Sequence, residues 1–262
     1  MTTRKTEWAD GRFPRLVLLA RLARWLADPR GRRSRRTLRS LKDTHRGQRC
    51  FIIGNGPSLK EMDLRPLAGE KTFSLNRGYL LFERMGGPST YHVVVNPLVV
   101  QQWARDLERL PCRTFASWGT RHRLDPRSEV VYIEPPSSRL EPYFSKELTR
   151  GMWQGATVTY VALQLAFYLG FEKVVLIGVD HRFRAQGIPN QEVVSTSSDV
   201  DHFAPDYFGP GARWQLPDLE TSELAYTLAR HYYRQDGRVI LDATVNGALQ
   251  VFPKAEFASL FR

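Results

Sequence analysis

The nine residues Cys50-Phe51-Ile52-Ile53-Gly54-Asn55-Gly56-Pro57-Ser58 constrain the fold more than any other stretch of the chain. An apolar run this short, ending at a glycine turn, reads as a strand buried on both faces, as in a parallel sheet. At the turn, the missing side chains let backbone N–H groups approach a ligand closely. Pro57 and Ser58 suit the first turn of a helix, whose N-terminus favours anions. In open α/β sheets ligands bind at the carboxyl ends of strands, which is where this loop falls. The third glycine of a dinucleotide fingerprint is missing, and no Gly-Lys-Ser/Thr follows to make a Walker loop.

The rest of the chain continues the pattern. Thr72–Leu75 and Tyr91–Val95 read as strands, and Arg113–Ser117 and Val130–Ile133 extend the series. Ala156–Leu169 is apolar at almost every position, which predicts a buried helix capped by Gly170. Lys173–Ile177 is then a strand ending at Gly178-Val179-Asp180. Residues 184–218 are rich in Pro, Gly, Asp and Ser and predict a long functional loop or lid. Leu219–Tyr233 resumes helical periodicity, and Arg238–Asp242 makes a last strand. Strands alternating with helices predict the α/β class over residues 50–262, with a mostly parallel sheet covered on both faces.

Charge sets residues 1–49 apart. They hold 15 Lys/Arg against four Asp/Glu, which is the whole formal charge of +11; from totals of 38 and 27, the other residues keep 23 of each sign. Phe13, Leu16, Leu19, Leu22 and Leu26, with Val17 and Leu18, recur at helical spacing among arginines, and Arg32, Arg33, Arg35, Arg36 and Arg39 follow. Such a basic helical arm suits a helix packed on the domain with a solvated Arg face, or one resting on an anionic membrane surface. The body lacks the aromatic-and-basic signature of nucleic-acid binding, so no nucleic-acid partner is expected. No run reaches the roughly 18 apolar residues of a spanning helix. Arg21 and Arg24 interrupt Leu16–Leu26, and no small-residue cleavage site follows, so a signal peptide is not expected. Cys50 and Cys112 are too few for a disulfide framework or a cysteine zinc site. A cytoplasmic protein is expected, peripheral on the inner face of the membrane if the arm docks there.

Several residues at the predicted strand ends carry chemistry. Asn76 and Asn96 follow the second and third strands, on the same edge as Gly54-Asn55-Gly56. An Asn amide both donates and accepts, which suits a base, ribose or phosphate, although either Asn can instead cap the next helix. At the next strand end, Asp180 can orient a ribose hydroxyl or hold a metal, and His181 can act as an acid or base. Thr157 and Thr159 can present hydroxyls to an anion, or simply cap the buried helix. In the lid, His202 is flanked by Asp199, Asp201, Phe203, Asp206, Tyr207 and Trp214. A neighbouring carboxylate orienting its ring would make it a general base. Asp218 and Glu220 suit helix capping, and His231, Tyr232 and Tyr233 suit packing. Cys112 has no evident His partner for thiol catalysis.

Cys50–Asp63, Asn76, Asn96-Pro97 and the helix–strand unit Ala156–Asp180 resemble two related groups, across roughly residues 48–253. One is the bacterial sialyltransferases of glycosyltransferase family 42; the other is the 6-hydroxymethylpterin diphosphokinase-like (MptE-like, DUF115) family. The first resemblance implies a lidded Rossmann-like domain that takes a CMP-linked sugar without an obligatory metal and passes it to a glycan or lipid-linked acceptor. Asn55, Asn76 and Asn96 would hold the nucleotide, together with Gly54, Gly56, Pro57, Ser58, Thr157, Gly178 and Asp180. His202 would deprotonate the acceptor hydroxyl. That family places tyrosines shortly after the Gly178-Val179-Asp180 strand end. Here His181-Arg182-Phe183-Arg184 occupies the stretch, so Arg182 or Arg184 would neutralise the departing phosphate. The second resemblance implies pyrophosphoryl transfer from ATP with magnesium, held by Asp180 and by Asp199 or Asp201. A third expectation, from a different class, is a module that binds a nucleotide without turning it over.

Overall fold

The computed structural model describes residues 20, 22–126, 128–133 and 142–262. Its centre is a seven-stranded sheet made of β1 (Arg49–Ile53), β2 (Thr72–Leu75), β3 (Tyr91–Val94), β4 (Arg113–Ser117), β5 (Val131–Ile133), β6 (Lys173–Ile177) and β9 (Val239–Asp242). The spatial order is β5-β4-β3-β2-β1-β6-β9, and every pairing is parallel. The chain winds outward from β1 to β5, then returns to place β6 on the other side of β1. The β1–β6 boundary is therefore the topological switch point, where an open α/β sheet leaves a crevice beyond its strand ends.

Burial explains the continuous apolar runs. Cys50 and Ile52 face one hydrophobic cluster while Phe51 and Ile53 face the other, so β1 is covered on both sides. Helix α3 (Val158–Leu169) lies across β1, β2 and β3 and against α4 (Leu219–Gln235), with every residue from Thr159 to Leu169 buried. Its ends are set locally: Thr157 Oγ1 accepts from the Thr159 N–H, and Gly170 takes the left-handed conformation at φ 98°. On the opposite face, α2 (Pro97–Glu108), short 3₁₀ turns and the aromatic tail around Phe257 and Phe261 complete the cover.

Pro57–Glu61 forms a 3₁₀ turn of five residues, not the α-helix expected after the glycine loop. Met62 returns to extended backbone, and Pro66, a residue poorly tolerated inside a helix, starts another short turn at Arg65–Gly69. The predicted lid contains regular structure. Strands β7 (Glu192–Val194) and β8 (Arg213–Gln215) form an antiparallel ribbon within residues 184–218. Gln102 of α2 holds this ribbon through Nε2–H to the Arg213 carbonyl and the Arg213 N–H to its Oε1, each at 2.8 Å.

The described part of the basic segment is helical at residues 22–27 and again in α1 (Pro29–Leu41), with Asp28 as the N-cap of α1. Leu38 and Leu41 enter the core, and Ser34 Oγ accepts the N–H of Tyr132 at 2.9 Å. That bond satisfies a backbone donor on the sheet's edge strand, so α1 seals the β5 edge. The predicted apolar stripe from Phe13 to Leu19 lies outside the described residues. Among those described, no helix is long and apolar enough to cross a membrane.

Candidate functional site

A cleft of about 290 Å³ opens at the switch point. Gly54, Asn55 and Gly56 line it from the end of β1, Asn76 from β2 and Asn96 from β3. Gly178, Asp180 and Arg182 come from the end of β6, Thr157 from the start of α3, and His202 from the lid. Most sequence-predicted positions thus converge on one cavity. The exceptions are Pro57, Arg184 and Asp199, which line a neighbouring crevice, and Ser58, which is buried beneath the loop. Of the two arginines expected to meet the departing phosphate, only Arg182 borders the cleft.

The glycines act differently from the expectation that their N–H groups face a ligand. Gly54 N–H donates to the Ile177 carbonyl at 2.8 Å, and Gly56 N–H to the Gly178 carbonyl at 2.9 Å. Both donors stitch the β1 loop to the β6 end. Side chains are excluded by that closeness: a Cβ on Gly54 would stand 2.2 Å from the Gly178 oxygen, and one on Gly56 1.8 Å from Asp180 Oδ2. Ser58 likewise serves Asp180, donating from N–H at 3.1 Å and from Oγ at 2.7 Å. Burial raises the Asp180 carboxyl above its usual range, against the hydrogen bonds of Ser58 and the attraction of Arg182.

The asparagines divide into two kinds. Asn55 Oδ1 and Asn76 Oδ1 are buried acceptors with no donor among the described residues. An unmet buried acceptor costs about 1–3 kcal/mol, and such groups mark places where a ligand or water completes the set. Asn76 also sits at φ 51°, a left-handed turn that Asn tolerates better than most residues. Asn96 is the other kind: its Oδ1 caps α2 by accepting from Leu98 N–H at 2.8 Å, while its Nδ2 lies 3.4 Å from Gln215 Oε1. It borders the cleft with its acceptor already used. Thr157 resembles it, capping α3 and touching the Tyr226 hydroxyl at 3.3 Å.

The lid's histidine is held by two partners. His202 Nδ1 is 2.8 Å from Asp199 Oδ2, and its ring stacks on Tyr207 with centroids 4.1 Å apart. Asp199 also accepts the N–H groups of Asp201 and Phe208. Burial works to raise the Asp199 carboxyl, but these hydrogen bonds and the His202 charge outweigh it and hold it below its ordinary value. With Nδ1–H donated to the carboxylate, the neutral ring keeps Nε2 as a lone-pair site, and no described residue bonds to it. Tyr207 itself is fully buried, and its hydroxyl accepts the Arg77 N–H at 3.2 Å, so it supports the ring and does not reach the cleft.

The structure does not assemble the carboxylates into a magnesium site. Asp201 accepts the backbone N–H of Arg184 and of Ala185, Asp199 is committed to His202, and Asp180 to Ser58. Among the described residues no group of three or more His, Cys, Asp or Glu side chains is arranged to hold a metal ion.

The backbone strain within the cleft escaped the sequence, although His181 itself was a candidate. Ala156 at φ 56° and His181 at φ 53° are non-glycine residues in the left-handed region, and both line the cavity. Such strain clusters at functional sites, yet neither residue type announces it. His181 Nε2 turns to Glu223 Oε1 at 3.1 Å. Phe208 and Trp214, stacked with centroids 5.7 Å apart, close the lid side. His231, expected to pack, is exposed on α4.

Fold and cleft together define a doubly wound α/β protein with a cleft at its switch point. No protein-family model matches the sequence, and no curated protein is significantly similar to it. Among solved structures the chain is similar to the MAf glycosyltransferase from Magnetospirillum magneticum AMB-1, with a TM-score of 0.52 and 15% sequence identity. The similarity covers 87% of this chain and 38% of that one, so this chain spans well under half the length of the protein it matches. A likeness at this identity bears on the fold, and it agrees with the Rossmann-like sheet.

Proposed function

We propose that the protein is a glycosyltransferase that moves a sugar from a nucleotide-linked donor, a CMP-linked one by preference, to a glycan or lipid-linked hydroxyl. The observation that carries this reading is the meeting, in one switch-point cleft, of an Asp199-oriented His202 with the unmet acceptors of Asn55 and Asn76. The two amide oxygens would take donor groups of the nucleotide, such as ribose hydroxyls or a base amine. His202 Nε2 would take the proton from the acceptor hydroxyl as its oxygen bonds to the sugar carbon. The bond from that carbon to the phosphate oxygen would break, leaving its electron pair on phosphate. Arg182, which lines the cleft, would neutralise the charge that develops there. The likeness to the MAf glycosyltransferase supports the same direction through its fold. Peripheral attachment to an anionic membrane forms part of the proposal, supported by the exposed arginines of α1.

The test is thermal stabilisation of the full chain by CMP, CDP, UDP, GDP and ATP, each with and without magnesium. A ligand at 100 times its dissociation constant adds about 2.7 kcal/mol, which moves the melting temperature clearly. Stabilisation by CMP without metal is expected. Stabilisation by ATP only in the presence of magnesium would replace this reading with pyrophosphoryl transfer. A nucleotide that stabilises, with no turnover of its sugar conjugates, would leave a binding module.

A further inference from the structure

Beyond Asp180, Arg182 and Asp201, which it shares with the cleft, a second crevice of about 380 Å³ is walled by Pro57, Lys60, Arg184 and Val200. Its charged groups are unequally committed. The carboxylates that face it are already engaged: Asp180 by Ser58, Asp199 by His202, and Asp201 by two backbone N–H groups. Lys60, Arg182 and Arg184 are exposed, and their charged ends have no hydrogen-bond or ion-pair partner among the described residues. The three carboxylates keep their charge and balance the three cations, so what the crevice offers an anion is the free N–H donors of Lys60, Arg182 and Arg184, with arginine forks matched to phosphate oxygens. Asp199 borders this crevice while its partner His202 borders the cleft, so the base stands between the two cavities.

We infer that the crevice binds the phosphate or diphosphate group of a phosphorylated acceptor, and so presents that acceptor's hydroxyl to His202. The acceptor role rests on the donor-cleft reading above; the anion site itself rests on the crevice alone. Lys60 and Arg184 belong only to the crevice, so replacing both with alanine isolates it from the cleft. Calorimetric titration of inorganic pyrophosphate and of farnesyl diphosphate into the full chain, with and without saturating CMP, provides the test. Both diphosphates are expected to bind in the presence of CMP. The Lys60→Ala/Arg184→Ala protein should bind them about tenfold or more weakly, since charge-assisted hydrogen bonds are lost, while its CMP affinity stays unchanged. Tighter binding of farnesyl diphosphate than of pyrophosphate would place the phosphate on a lipid, and equal binding on a soluble ester. Competition between CMP and pyrophosphate, or equal diphosphate affinity in the double variant, would overturn the inference while leaving the donor cleft standing. Diphosphate binding that depends on Lys60 and Arg184, in a chain that binds no CMP, would uphold the anion site and remove the donor reading.

Discussion

His202 and Asp199 can be separated experimentally because each does a different part of one job. Replacing His202 with alanine removes the proton acceptor and should lower kcat by on the order of 10²–10⁴ while CMP affinity holds. Asp199→Asn keeps the ring in place but removes the anion that steadies the imidazolium. Its kcat should fall less than that of His202→Ala, because the proton acceptor itself is kept. An unchanged kcat in His202→Ala would sink the base assignment. The same carboxylate gives a stability test whose sign is fixed. Its folded pKa lies below the unfolded value of about 3.9, so its contribution is present above that pH and is lost as pH falls through the folded value. The gap in melting temperature between the natural chain and Asp199→Asn should therefore narrow on acidification from about pH 5 towards pH 3.

Elements, more than single residues, decided what could be read in advance. β1, β6 and α3 were legible because burial on both faces writes itself as apolar sequence, as in Phe51-Ile52-Ile53 and Val174-Val175-Leu176-Ile177. β2 and β4 carry buried Thr and Ser among their apolar residues and were read from their place in the series. The strand-end asparagines were legible for the same reason, since the strands locate them. The 3₁₀ turn at Pro57–Glu61 was not, because its brevity depends on Ser58 reaching Asp180, 122 positions away. Helix α1 was legible only as one of two readings of the basic arm, because its buried Gly31, Ser34, Leu38 and Leu41 are diluted by arginines. The lid hides its anchor in the same way. Arg77, with no carboxylate partner among the described residues, donates Nη1–H to the Asp206 carbonyl at 2.8 Å and to that of Tyr207, and its guanidinium lies 4.3 Å above the Trp103 ring. Arg77→Met preserves much of the packing but leaves the two carbonyls unmet, at about 1–3 kcal/mol each. The expected result is faster proteolytic cleavage within residues 199–208 and a higher KM, with the sheet's amide protection intact. An unaltered cleavage pattern would show that the ribbon, held by Gln102, secures the lid without Arg77.

At the scale of the whole molecule, the basic helix α1 and the cleft sit on different parts of one sheet. α1 seals the β5 edge, and β5 is four strand spacings from β1, or roughly 20 Å at about 4.8 Å each. A surface that attracted α1 would therefore hold the molecule by its flank, with the switch-point cleft set to one side. Deleting the arm is a poor test, because Leu38, Leu41 and Trp25 are core residues and Ser34 completes the edge strand. Arg32, Arg36 and Arg39 follow at helical spacing and are all exposed, so changing them to glutamine removes charge without touching the core. Each basic residue near an anionic bilayer contributes about 1 kcal/mol, so the triple variant should bind vesicles containing phosphatidylserine on the order of 10²-fold more weakly. Binding should also weaken with salt and be slight on phosphatidylcholine alone. Melting temperature and CMP affinity should match the natural chain, which separates lost docking from damaged folding. If the triple variant sedimented with phosphatidylserine vesicles as well as the natural chain, α1 would be an edge-sealing helix with a solvated arginine face, and peripheral attachment through it would be withdrawn.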